Sequence, residues 1–294
     1  MMTVLSGASQ EAIAFHYDVG NDFYQLWLDP TLTYTAALWA PEAPGLTLAE
    51  AQAQKIDFHI RQAQAQGGQR VLDIGCGWGS ALLRLVKEHA VEHAVGLTLS
   101  PNQATWVQAL GNPRIEVRLE PWEAHAPSEP YDAILSIEAF EAFARPGLSS
   151  REKIHLYRTF FEHCHRWLRP GGWLSLQTIA YGNSTPEDLD AFISQDIFPE
   201  SDFPRLAEVV EATERLFEVV RLQNDREDYG RTLRAWLDNL KANRQEAVRL
   251  AGEETVVRYE RFLRLSIYTF TIGACDLHRI ALRRIDQPRC GSGE

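Results

Sequence analysis

The stretch of this chain with the plainest chemical content is Val71-Leu72-Asp73-Ile74-Gly75-Cys76-Gly77-Trp78-Gly79. An apolar run carrying a carboxylate near its end, then turning through three alternating glycines, lets backbone approach a ligand closely, because no Cβ atoms stand in the way. That pattern points to a cofactor loop. It does not fit a nicotinamide dinucleotide, whose fingerprint is G-x-G-x-x-G with an acidic residue about 20 positions further on. Here the third glycine comes one residue early, and the next apolar run closes as Gly96-Leu97-Thr98-Leu99-Ser100, without a carboxylate. No metal site is expected. Cys76, Cys164, Cys275 and Cys290 lie far apart with no C-x-x-C pair. His155, His163 and His165 fall on one amphipathic stretch, where solvent or packing partners satisfy them.

The elements that must position this loop follow from periodicity. From Gln69 onward short apolar runs alternate with longer amphipathic stretches, the pattern of parallel βα units. Strands are predicted over residues 70–74, 94–99, 115–119, 131–136 and 172–178. The first crossover helix is predicted over 80–89, with Leu82, Leu83, Leu85 and Val86 on one face. A second helix over 154–168 stops at Arg169-Pro170-Gly171-Gly172. Helix over 206–215, strand over 217–222, a long helical region over 232–272 broken near Gly252, and a last strand over 277–285 complete the reading. The charged run 221–231 reads as a solvated loop, and Phe192, Phe198 and Phe203 as lid or core packing. The expected organisation is a helical cap over 1–65, an α/β domain over 66–285 with helical segments at about 182–212 and 230–274, and a tail over 286–294.

Bulk properties narrow the partners. With 294 residues, 45% of them hydrophobic, the chain can bury a large core. A net charge of -11 gives no attraction for phosphate backbones, so nucleic acid is a poor substrate, and it argues against adsorption on an anionic bilayer. The first residues lack a signal-peptide pattern and no window approaches ~18 uninterrupted apolar residues, so a cytoplasmic protein is expected.

The loop resembles motif I of class I methyltransferases, and its tryptophan variant resembles the cyclopropane fatty acid synthase family. Further stretches resemble that family in the same order: Phe15-His16-Tyr17-Asp18-Val19-Gly20-Asn21-Asp22-Phe23-Tyr24, Thr33-Tyr34-Thr35, Gly96 to Gln103, Trp122-Glu123, and Tyr229 with Thr232-Leu233-Arg234-Ala235-Trp236. The resemblance implies a Rossmann-like α/β fold, a seven-stranded, mostly parallel sheet under helical lids, and S-adenosylmethionine as cofactor, leaving as S-adenosylhomocysteine. It implies a cofactor site in which Asp73, Gly75 and Gly77 meet the methionine portion and Thr98, Leu99 and Gln103 hold the ribose. Trp122 and Glu123 flank the adenine, Tyr34 and Thr35 close over the methionine end, and Ile137 lines the wall near the sulfonium.

In that family the base is a bound bicarbonate held by a cysteine, a Glu-His pair, a second histidine and a tyrosine. Glu141 and Tyr229 match this cage. The other positions read Ala36, Ala142 and Gln177, and the family glycine after Ile137 is Glu138. Each lost charge-assisted hydrogen bond is worth about 1.5–3 kcal/mol, so a small anion should bind poorly. The catalytic candidates are therefore Glu138, Glu141 and Tyr229, with Glu138 or Glu141 orienting or deprotonating the acceptor. The expected activity is methyl transfer to nitrogen or carbon, or to oxygen, of a small-molecule acceptor. The alternatives are cyclopropanation or methylation of an unsaturated fatty acyl chain, and a non-catalytic cofactor-binding protein.

Overall fold

The computed structural model of the protein describes residues 19–39, 45–188 and 201–287. Its strands are β1 (Arg70–Ile74), β2 (His93–Thr98), β3 (Ile115–Leu119), β4 (Tyr131–Ile137), β5 (Leu168–Tyr181), β6 (Phe217–Asn224) and β7 (Cys275–Arg284). They form one sheet in the order β3-β2-β1-β4-β5-β7-β6. The first five are mutually parallel, and β7 runs antiparallel to both β5 and β6. The order reverses at β1, whose neighbours are β2 on one side and β4 on the other. A sheet of this kind opens a crevice beyond the carboxyl ends of those two strands.

The described helices are α1 (Asn21–Gln25), α2 (Leu48–Gln62), α3 (Ser80–Glu88), α4 (Pro101–Ala109), α5 (Ser150–Trp167), α6 (Leu206–Ala212), α7 (Arg226–Ala242), α8 (Arg244–Ala251) and α9 (Glu253–Thr271). Alternation along the strands supplies both sheet faces. Val71, Ala133 and Leu135 meet Ile56, Ile60, Leu82, Leu85 and Val107 on the side of α2, α3 and α4. Leu72, Ile74, Ile134 and Leu174 meet Tyr157, Phe160 and Phe161 on the side of α5. A third cluster, from α1 and the turn after it, the glycine loop, α7 and α9, gathers Tyr24, Trp27, Trp78, Tyr229, Trp236 and Tyr259. Burying each large apolar side chain contributes about 1.5–3 kcal/mol. The starts of α2 and α5 are fixed by capping boxes, Thr47 with Glu50 and Ser149 with Glu152.

Several expectations shift. The segment Arg169-Pro170-Gly171-Gly172, predicted as the turn after a helix, lies inside β5. The register to β4 jumps from Tyr131↔Leu168 to Ala133↔Trp173, a bulge that takes up the proline and glycines. The helical region expected over 232–272 begins at Arg226 and breaks at Asn243 as well as at Gly252. The run 221–231, expected as a solvated loop, is the end of β6 and the first turns of α7. It is ordered because Asp225 and Asp228 face the buried Arg279. The helix expected over 206–215 ends at Ala212. Phe203 packs on Tyr181 with ring centroids 5.6 Å apart. Phe15 to Asp18, Phe192, Phe198 and Cys290 fall outside the described residues. Among the described residues no helix is long and apolar enough to cross a membrane.

Candidate active site

At the strand-order reversal the structure has an open cleft, its mouth reaching solvent. Of the residues expected to meet the cofactor, Tyr34, Thr35, Asp73, Gly75, Gly77, Gln103 and Ile137 line it, together with Glu138. Gly75 has φ +81, and a Cβ there would stand 2.3 Å from the Cβ of Ala139, so only glycine fits. Gly77 has φ +53 with nothing within 4 Å of where its Cβ would be, which leaves backbone open to a ligand. Thr98 stands behind the lining and donates to Gln103 Oε1 at 2.8 Å, fixing that amide, and Leu99 follows it at the start of the turn into α4. Trp122 and Glu123 do not line the cleft. They form a short 3-10 turn after β3, where Trp122 is buried against Phe143, Phe160 and His163. Burial raises the Glu123 carboxyl above its ordinary value.

The N-terminal segment reaches the cleft through specific polar contacts. The Asn21 Oδ1 atom accepts from Trp78 Nε1 at 2.8 Å, and its Nδ2 donates to Asn102 Oδ1 at 2.9 Å. One side chain thus joins α1, the glycine loop and α4. Tyr34 is wedged among Trp27 and Trp236, with ring centroids 5.3 Å and 5.2 Å away. Beyond it, Thr232 Oγ1 accepts from Ala37 N and Trp39 Nε1, both at 3.0 Å, which fastens the segment to α7.

At the end of β4 the chain carries Glu138 with φ +53, a left-handed conformation that a non-glycine residue adopts at a cost of about 1–3 kcal/mol. Its carboxylate occupies a ring of donors. Oε1 accepts from Ala36 N at 2.8 Å and from Gln177 Nε2 at 2.5 Å, and Oε2 accepts from Tyr229 Oη at 2.7 Å. Burial raises its pKa, while the Ala36 N–H, Tyr229, Gln177 and the Lys55 charge pull it back down. The Tyr229 hydroxyl is pushed well above its ordinary range by burial and by the Glu138 charge, so it remains a donor.

The orientation of Gln177 is set from behind. Arg279, fully buried on β7, donates from Nε to Gln177 Oε1 at 2.8 Å. A guanidinium can only donate, so the amide oxygen must face it and the amide NH2 must face Glu138. His59 Nε2 lies 2.8 Å from the same oxygen and is therefore also a donor there, while its Nδ1 accepts from Ser175 Oγ at 2.7 Å. Burial and the Arg279 charge hold His59 well below its ordinary pKa, in keeping with a neutral ring. Arg279 is paired with Asp225 and also donates to Ala37 O at 2.9 Å.

Glu141 sits apart from this ring, in the 3-10 turn Phe140–Phe143. Its Oε1 accepts from Ile179 N, and its buried Oε2 has no hydrogen-bond partner. Burial and the neighbouring Glu138 push its pKa up to about 8, so it is largely protonated at neutral pH. Glu138 and Tyr229 are thus brought together and Glu141 is not. The backbone of Ala36 supplies a donor although its side chain cannot. Sequence reasoning missed Lys55, His59 and Arg279. The signal for the first two was present, since Gln52, Lys55, Ile56 and His59 share the buried face of α2.

A seven-stranded sheet with this order, and a glycine loop lining a cleft at its reversal point, define a class I S-adenosylmethionine-dependent methyltransferase fold, and the chain is an enzyme of that type. The chain belongs to the mycolic acid cyclopropane synthetase family, whose profile matches residues 6–280. It is 35% identical over 293 residues to the cyclopropane mycolic acid synthase MmaA2 of Mycobacterium tuberculosis, covering 93% of this chain and 97% of that one. It is 37% identical over 273 residues to cyclopropane mycolic acid synthase 2 of Mycobacterium bovis, covering 86% and 88%. The solved structure of MmaA2 superposes with a TM-score of 0.84 at 34% identity, covering 95% and 99%. A structure of the mycolic acid cyclopropane synthase CmaA1 complexed with SAH and CTAB gives 0.84 at 35% identity with the same coverage. The cofactor is accordingly S-adenosylmethionine.

Proposed function

We propose that the protein methylates a carbon–carbon double bond of an unsaturated fatty acyl chain, with Glu138 as its built-in base. The relatives named above support the acyl acceptor over the small-molecule acceptor expected from the sequence. The observation that carries the mechanism is the ring of three donors around Glu138. Tyr34, Thr35, Asp73, Gly75, Gly77 and Gln103 would hold the cofactor, with Thr98 steadying Gln103 and Ile137 closing the wall toward Glu138. The bound cofactor supplies an electrophilic methyl group, and its acceptance by an alkene carbon leaves positive charge on the acceptor and one proton to be removed. Glu138 takes that proton on its carboxylate. Ala36 N–H, Gln177 and Tyr229 hold the carboxylate ionised and aimed until then. Tyr34 lines the cleft, where an aromatic ring favours positive charge. Loss of the proton from the new methyl group closes a cyclopropane ring, and loss from a neighbouring chain carbon leaves a methyl-branched alkene.

The test is incubation with methyl-labelled cofactor and vesicles of monounsaturated or fully saturated phospholipid, in parallel with a panel of amines and phenols. Label is expected in the acyl chains of the unsaturated vesicles alone. Label confined to an amine or phenol would overturn the proposal. The unpartnered Oε2 of Glu141 favours, as a second reading, an acceptor bearing a hydroxyl or amine, and the same assay separates the two.

A further inference from the structure

Lys55 is a cation in a place where cations are costly. It lies on α2 with 1% of its surface exposed, and it lines the cleft beside Thr35, Asp73 and Gly75. Its Nζ donates to Thr35 Oγ1 at 2.6 Å. Among the described residues no carboxylate comes within 4.0 Å of it. The carboxylates nearest in effect are Glu138, Asp29 and Asp73. Two of these are committed elsewhere. Asp29 accepts from Thr31 and Thr33, and Glu138 accepts from Ala36, Gln177 and Tyr229. An ammonium carries three N–H donors, so two of those on Lys55 have no acceptor among the described residues. Burying an unpaired ammonium is unfavourable, and burial here draws its pKa down to about 8.

Asp73 lines the same cleft, one residue before the end of β1. Its carboxylate is 2% exposed and has no hydrogen-bond partner among the described residues. Burial pushes it up to about 7, against the pull of Lys55. The methionine end of the cleft thus offers one cation and one carboxylate, both buried, both unsatisfied, and held on separate rigid elements. Their natural complement is a zwitterion, an α-carboxylate with an α-ammonium, which is the head of the cofactor's amino-acid portion.

We propose that Lys55 is the residue that takes the α-carboxylate of the cofactor, in the same cleft as Asp73 and together with the Thr35 hydroxyl it already holds. The assignment rests on the cofactor and is independent of which acceptor is methylated. Lys55 also couples the two halves of the site, because the same ammonium that meets the cofactor lies within electrostatic reach of Glu138.

The experiment is calorimetric binding to the full-length protein, with no turnover involved. Three ligands are compared: S-adenosylhomocysteine, its α-carboxamide, and 5′-methylthioadenosine, which lacks the amino-acid head. Lys55→Met should weaken S-adenosylhomocysteine by about 10- to 100-fold, the loss of a charge-assisted hydrogen bond, while leaving methylthioadenosine within about twofold. Lys55→Arg should restore most of the preference. Equal loss for both ligands, or no loss for either, would overturn the assignment. The wild-type protein provides a readout that needs no variant to fold. It should prefer S-adenosylhomocysteine over the carboxamide by about tenfold or more at pH 7, and a preference below about twofold would equally sink the idea.

Discussion

Glu138 is the residue on which this site turns. Its left-handed backbone would suit glycine better, and the conformational cost is borne at the position where a carboxylate meets three donors. If it is the base, Glu138→Gln should lower turnover by about 10²- to 10⁴-fold while S-adenosylhomocysteine affinity stays within about threefold. Glu138→Ala, which empties the ring of donors, should regain part of its activity with added formate, measured as label transfer against formate concentration. Tyr229→Phe removes one donor to the ionised carboxylate, worth about 1.5–3 kcal/mol. Since that bond stabilises the charged form, its loss should raise the pKa of Glu138 and move the rising limb of the pH–rate profile to higher pH. An unmoved profile would mean that Tyr229 acts elsewhere. None of this geometry follows from the sequence alone. The substitution of Glu138 for glycine was legible, but that Ala36 contributes through its backbone, and that Glu141 turns away toward Ile179, depends on where three distant segments meet.

At the scale of elements, α2, β5 and β7 act as a single block behind the base. His59 on α2, Gln177 on β5 and Arg279 on β7 share one amide oxygen, and Arg279 also grips Ala37 and Asp225. Arg279→Met should therefore do two things. It should cost about 3 kcal/mol or more in denaturant unfolding, because Asp225 loses a buried partner. It should also lower turnover, because the Gln177 amide loses one of the two donors that fix its orientation. Wild-type stability in the variant would refute the first claim, and unchanged turnover the second. The elements themselves were readable, since period-two runs and amphipathic spacing are local properties. The errors were local too. Pro170, Gly171 and Gly172 read as a turn because their propensities say so, and pairing with β4 overrode them through a bulge. The run 221–231 read as solvated because its charges were seen without Arg279, which lies far along the chain. The buried polar face of α2 could have been noticed, as Gln52, Lys55 and His59 recur at helical spacing beside Ile56 and Ile60.

Across the whole molecule, a distinctive feature is that two buried acids, Asp73 and Glu138, line the cleft while a third, Glu141, is buried in the turn after β4. Asp73 is pushed up to about 7 and Glu141 up to about 8, with Glu138 also raised. An acid whose folded pKa exceeds its unfolded value binds more protons in the native state over the interval between them, so stability falls as pH rises through that interval. For Glu141 the window runs from its ordinary 4.5 to about 8, and for Asp73 from 3.8 to about 7. Lys55 has the opposite sign and a separate window. Its folded value of about 8 lies below the ordinary 10.5, so it adds stability as pH rises above about 8. The cofactor-free protein should therefore lose stability between pH 5.5 and 8, a range that the Lys55 contribution does not enter. Glu141→Gln, which keeps an oxygen for Ile179 N–H but cannot ionise, should lose about 3 kcal/mol less than wild type over that range. Denaturant unfolding at the two pH values measures both. Parallel pH curves for the two proteins would show that Glu141 does not carry the raised pKa, and the pH-dependent loss would have to be assigned to Glu138 or Asp73 instead.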